Sequence, residues 1–144
     1  MWQDTARLRS KAQVLGNIAS HAEQLVDARG GPRFTGEQAE TTPGVASGHV
    51  PGARNVPYPS LFNADGTWQD KVALKAAFDA AGVDIDRPVI ASCGSGMTAN
   101  VVLFALHLLG KDDTALYDGS WAEWGSDPAT PKELGDAAPL GATV

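Results

Sequence analysis

Pro88-Val89-Ile90-Ala91-Ser92-Cys93-Gly94-Ser95-Gly96-Met97-Thr98 begins as a compact apolar run and ends where a helix should start. Residues 88–92 read as a buried strand by composition. Residues 98–109 are apolar and free of glycine, and Gly110 follows them, which predicts a helix. A buried strand feeding a helix through a short loop is one unit of an alternating α/β fold.

Working outward, the same alternation repeats. Residues 115–117 read as a further strand, and residues 120–124 as a short helical turn. On the other side, residues 68–81 carry Val72, Leu74, Ala76, Ala77, Phe78 and Ala81, the pattern of an amphipathic helix ended by Gly82. Residues 53–57 and 24–28 read as short strands. Between them, residues 30–52 form an irregular stretch rich in Gly, Thr and Pro, too long for a plain connector and therefore a candidate functional loop. Asp4 or Thr5 is expected to cap a first helix that carries Leu8, Ala12 and Leu15 and stops at Gly16. Strands alternating with helices imply a mostly parallel, doubly wound sheet with helices on both faces. One domain over residues 1–126 accounts for all of these elements. The Pro-, Ala- and Gly-rich tail, residues 127–144, is expected to cross the surface or to be disordered.

Bulk properties narrow the function. A chain of 144 residues with 43% hydrophobic and 19% charged residues is an ordinary single globular domain. The net charge of −6 argues against nucleic acid as a partner. It also means that an anionic ligand must be attracted by a local field. No apolar run is long enough to span a membrane. Residues 1–11 are polar and lack the apolar core of a signal peptide, so a cytoplasmic location is expected. No cofactor is implied. The three histidines stand apart at 21, 49 and 107, and with a lone cysteine they give no metal-ligand spacing.

Cys93 is the only cysteine, which leaves two readings: an inert buried hydrophobe or a reactive thiol. The Gly94-Ser95-Gly96 that follows favours the second. A loop with two glycines packs poorly and serves to bring backbone close to something. It lies at the carboxyl end of a strand, where open α/β sheets bind ligands. Its amides can form an anion nest, and the helix start adds unpaired N–H groups and a positive dipole end. A thiol there should ionise readily and be reachable from solvent. A phosphate-binding loop without a reactive thiol is disfavoured by the absence of a Gly-Lys-Ser/Thr ending. A cysteine phosphatase would need an arginine at the far end of the loop. Ala99 stands six residues after Cys93, and no arginine occurs between Cys93 and the C-terminus.

Cys93-Gly94-Ser95-Gly96-Met97-Thr98 resembles the six-residue active-site loop of the 3-mercaptopyruvate sulfurtransferases of the rhodanese superfamily. Three other segments resemble the same family in the same order. These are Asp27-Ala28-Arg29 with Arg33-Phe34, then Gly48-His49-Val50-Pro51-Gly52-Ala53-Arg54-Asn55-Val56-Pro57, and Tyr117-Asp118-Gly119-Ser120-Trp121-Ala122-Glu123-Trp124. The resemblance implies a five-stranded, mostly parallel sheet flanked by helices. It implies that Cys93 takes a sulfur from a small anionic donor, holds it as a persulfide, and passes it to a thiol or cyanide. The thiol acceptor would be a small molecule or a thioredoxin-like protein. On the same grounds Ser95 relays a proton, Arg33 meets the donor's anionic end, and Asp27 supports the loop. Gly94, Gly96, Met97 and Thr98 complete the loop.

Relatives selective for thiosulfate carry basic side chains just after the cysteine. Gly94 and Ser95 are small and neutral, which favours the singly charged mercaptopyruvate over thiosulfate. Mercaptopyruvate enzymes usually carry a second arginine nine residues after the first, where this chain has Thr42. Met97 replaces a more usual valine. Such enzymes are normally two rhodanese domains in tandem, and this chain resembles the C-terminal one, so a second rhodanese domain is a possible partner. A carrier domain loaded by a partner's persulfide is the non-catalytic alternative.

Arg33 by itself reads equally as a solvated loop charge. His49 is expected to be a turn histidine bonded to backbone. His107, within an apolar helix, is expected at the core or its boundary. Arg29 and Arg54 are the candidates to pair with Glu123.

Overall fold

The computed structural model describes residues 8–94 and 98–135. Five strands form one parallel sheet: β1 (Leu8–Arg9), β2 (Gln24–Asp27), β3 (Arg54–Asn55), β4 (Val89–Ser92) and β5 (Thr114–Tyr117), in the order β1-β5-β4-β2-β3. The helices are α1 (Lys11–Ser20), α2 (Gly31–Thr35), α3 (Lys71–Ala80), α4 (Ala99–Leu108) and α5 (Ser120–Trp124), with a 3-10 turn at Tyr58–Leu61.

The two-residue period of the strands divides the core between the faces of the sheet. Val26, Val89, Ala91 and Leu116 point to the side of α3 and α4, where they pack with Leu74, Phe78, Val102 and Leu106. Leu25, Ile90, Ala115 and Tyr117 point to the side of α1, α2 and α5, where Val14, Phe34, Trp121 and Trp124 meet them. Central β4 is buried along its whole length, as expected of an apolar strand covered on both sides. In register, Asp27 lies beside Ser92, and the Ala28 N–H donates to Ser92 O at 2.7 Å. The carboxyl ends of β2 and β4 are therefore level, and the residues that follow them share one edge.

The first helix begins later than the sequence pattern suggested. Leu8 and Arg9 pair with Leu116 and Tyr117 as an edge strand, so Leu8 belongs to the sheet. Ser10 starts α1: its hydroxyl accepts from the Gln13 N–H, while the Gln13 side chain accepts from the Ser10 N–H. Gly16 does not stop this helix, which runs on to a left-handed His21 at φ 53° whose N–H donates to Asn17 O. α2 was also unforeseen, lying in the stretch expected to be irregular. Pro32 sits in its first turn, where a missing N–H costs nothing, and Gly36 closes it with φ 90°. Phe34 stacks on the His49 ring at 3.8 Å and fastens α2 to the domain.

His49 is completely buried, its Nδ1 2.8 Å from Phe34 O and its Nε2 2.9 Å from Glu133 Oε1. His107, expected near the core, faces solvent instead and pairs with Asp112 at 2.6 Å. Helical spacing explains the difference, since Leu103 and Leu106 take the buried stripe and leave Phe104 and His107 outward. Beyond α5, the described part of the tail lies against the domain. Thr130 donates to Trp124 O, Trp124 Nε1 donates to Pro131 O, and Glu133 bridges His49 through two backbone hydrogen bonds.

Candidate active site

Cys93 follows the last residue of β4, at the edge the parallel sheet reserves for ligands. Its backbone is fastened to the start of α5. The Cys93 N–H donates to Ser120 Oγ at 3.1 Å, and Cys93 O and Gly94 O accept from the Trp121 and Ala122 N–H groups at 2.8 and 2.9 Å. Ser120 in turn donates to Tyr117 O and holds a left-handed backbone, φ 52°, which is costly for a residue with a side chain. Ser120 thus couples the end of β5 to the end of β4.

The sequence led to the expectation of a thiol open to solvent; instead Cys93 is fully buried, in the same apolar cluster as Val26, Ala28, Ala99 and Leu103. The residues beside it are the ones that reach the surface. Gly94 and Thr98 line a cleft of about 370 Å³ together with Arg29, Arg33, Glu40, Thr42, Tyr58 and Ala122. Of the expected loop, Ser95, Gly96 and Met97 lie outside the described residues.

Arg33 reaches this cleft from α2. Its guanidinium lies over Gly94 so closely that a Cβ on Gly94 would stand 3.2 Å from Nη2. Glycine at position 94 therefore makes room for the arginine. Glu40 holds Arg33 in place, accepting from Nη2 at 2.7 Å and from Nε at 3.3 Å. Hydrogen bonding to Glu40 is the main reason the Arg33 pKa rises further above its ordinary value, with burial opposing. Arg33 thus sits on a helix and is ion-paired, while its side chain remains partly open to solvent.

Asp27 stays behind the cleft. Its carboxylate accepts from Arg29 Nη2 at 2.7 Å, from Arg29 Nε, and from the Arg29 N–H. Arg29 also donates to Gly48 O at 2.6 Å and lies 4.6 Å over the Trp121 ring. Gly48 must be glycine for this: its φ is 111°, and a Cβ would strike the Glu133 carbonyl. Neither candidate arginine meets Glu123 in these bonds. Arg54 Nε donates to Ala81 O, and Glu123 accepts from the Tyr117 hydroxyl at 2.7 Å. Burial, and then Glu123, push the Tyr117 pKa well above its ordinary value.

Glu40 and Ser120 were not singled out by the sequence. Glu40 lies in an irregular stretch with no period to mark its direction. Ser120 stood inside a recognised segment, but only its bonds to the Cys93 N–H and Tyr117 O show why a hydroxyl is needed there. Among the described residues, no group of three or more His, Cys, Asp or Glu side chains could hold a metal ion.

A parallel α/β domain that presents a cysteine at the carboxyl edge of its central strand, beside an arginine-lined cleft, defines the class. The chain belongs to the rhodanese-like domain family, which it matches over residues 10–127. It is 46% identical over 118 residues to a 3-mercaptopyruvate sulfurtransferase of Escherichia coli K12, covering 81% of this chain and 42% of that protein. It is 41% identical over 121 residues to the mitochondrial thiosulfate/3-mercaptopyruvate sulfurtransferase 1 of Arabidopsis thaliana, covering 84% of this chain and 32% of that protein. The crystal structure of the 3-mercaptopyruvate sulfurtransferase SseA from Escherichia coli superposes with a TM-score of 0.69 at 39% identity, covering 82% of this chain and 43% of that one. The five-stranded parallel sheet is the fold the sequence led us to expect. The chain spans less than half the length of these relatives.

Proposed function

We propose that this chain is a sulfurtransferase domain that carries sulfur on Cys93. The observation that supports it most is the placement of the Arg33 guanidinium directly over Gly94, the residue next to the thiol. A donor anion held at Arg33 brings its sulfur to the loop that follows β4. Cys93 is fully buried, so its side chain must first turn toward the cleft beside Gly94; with 3-mercaptopyruvate, its thiolate then attacks the donor sulfur and an S–S bond forms. The C–S bond breaks, its electron pair stays on carbon as the enolate, and a proton converts this to pyruvate. A thiol acceptor then attacks the outer sulfur and regenerates Cys93. In this reading Ser95 relays the proton, Arg33 binds the carboxylate, and Asp27 supports the site through Arg29.

Mercaptopyruvate is preferred to thiosulfate because Gly94 and Ser95, the residues just after the cysteine, are small and neutral and add no cation for a doubly charged donor. We place the reaction in the cytoplasm, where a lone thiol stays reduced, although the Arabidopsis relative is named as mitochondrial. The acceptor is a small thiol or a thioredoxin-like protein, and a second rhodanese domain is the expected neighbour, given the greater length of the relatives.

The test is donor loading followed by intact mass. One added sulfur is expected after 3-mercaptopyruvate, with less after thiosulfate, and none in Cys93→Ser. If neither donor loads the chain but a partner's persulfide does, the domain is a carrier.

A further inference from the structure

We propose that Glu40 determines which donors the cleft accepts, by cancelling one positive charge at the position where an anion binds. The idea builds on the sulfurtransferase reading and assigns the charge selectivity of that site to one residue. Four charged side chains meet here. Arg29 is paired with Asp27 at 2.7 Å, and Arg33 with Glu40 at 2.7 Å. Glu40 also faces Arg29 Nη1 at 3.5 Å, so it lies between the two arginines. Its side chain is 6% exposed and that of Arg29 is 1% exposed, so neither charge is dispersed by water. Arg33 is the most open of the four, 39% exposed, with its guanidinium over Gly94.

The sum of these four charges is zero, and the Cys93 thiolate of the reacting state adds no positive charge to it. An incoming anion therefore finds directed N–H donors on Arg33 but no net attraction from the cluster. Removing an ion from water costs more steeply than in proportion to its charge. A monoanion can be repaid by a few directed hydrogen bonds, whereas a dianion needs a surplus of positive charge to offset its larger hydration. Glu40 withholds that surplus. Chemically, the site suits a carboxylate carrying its sulfur on a neutral arm, and disfavours a compact dianion such as thiosulfate.

Glu40→Gln keeps the shape and one carbonyl acceptor for Arg33 but leaves the cluster with one net positive charge. The added attraction acts twice as strongly on a dianion, so its gain should be the square of the gain for a monoanion. Pyruvate and sulfate serve as unreactive probes, titrated while the Gly94 and Thr98 amide resonances are followed. In Glu40→Gln, pyruvate should bind about threefold more tightly and sulfate about tenfold. The ratio of thiosulfate to mercaptopyruvate kcat/KM should rise in the same direction.

Equal changes for both probes, or weaker binding of both, would overturn the proposal and leave Glu40 as a purely structural support for Arg33. The wild type provides a check that does not depend on the variant folding: it should bind pyruvate more tightly than sulfate. A large sulfate preference there would equally sink the idea. If the wild type is loaded by neither donor, the sulfurtransferase reading fails, while the probe titration still decides the role of Glu40.

Discussion

Ser120 and Gly94 show how much of the site rests on single residues. The Ser120 hydroxyl accepts from the Cys93 N–H and donates to Tyr117 O, all in a buried environment. Ser120→Ala leaves that N–H without its partner and is expected to cost about 1–3 kcal/mol in urea unfolding. It should also slow sulfur loading, because the carboxyl end of β4 loses an anchor. Ser120→Gly loses the same hydrogen bond but relieves the left-handed backbone at φ 52°, so it should be the more stable of the two variants. At Gly94 the added methyl of an alanine would meet the movable end of Arg33 at 3.2 Å. Gly94→Ala should therefore leave the melting temperature nearly unchanged while weakening pyruvate binding. A large loss of stability would show that the guanidinium cannot move aside.

At the scale of elements, short helices carry the site, and each is held by contacts beyond its own turns. α5 has five residues, yet its first amides bind the Cys93 and Gly94 carbonyls. α2, also five residues long, is anchored by Phe34 and delivers Arg33 to the cleft. α1 is tied to the segment after α5 through Lys11 and Asp127. The hydrogen bond from Lys11, and then that from the Ala129 N–H, hold the Asp127 carboxyl below its ordinary pKa. A depressed folded-state value means that this contribution is present above the unfolded-state pKa and fades as pH falls through the folded one. Asp127→Asn should thus be less stable than wild type at neutral pH, with the gap closing below about pH 4. Thermal melts across that range test it, and a gap that widens in acid would refute it.

For the molecule as a whole, the sheet divides the core into two apolar layers, so damage to one should not be absorbed by the other. Phe78, on α3, is fully buried in the layer that also holds Cys93. Phe78→Ala should lower stability by about 3–5 kcal/mol. At temperatures where the variant remains folded, pyruvate binding should persist, because Phe34, which anchors the helix carrying Arg33, packs in the other layer. Sulfur loading should fall, because Cys93 belongs to the same layer as Phe78. Loss of pyruvate binding by a still-folded variant would show that the two layers are coupled at β4.

The sequence was enough to establish the alternating α/β order, the buried central strand and the placement of Cys93 between β4 and α4. Each of these follows from local composition and period, and an apolar run between turn residues has few other places to go. Matching segments likewise pointed to Arg33 and Asp27. Three things were decided only by tertiary structure. Leu8 and Arg9 became a strand because β5 offered an unpaired edge. α2 formed because Phe34 found His49, fifteen residues along the chain. The burial of Cys93 and the pairing of Glu40 with two arginines depend on contacts between separate loops. Chain order does not encode these contacts locally, because they arise only when the carboxyl ends of β2 and β4 are brought level by the sheet.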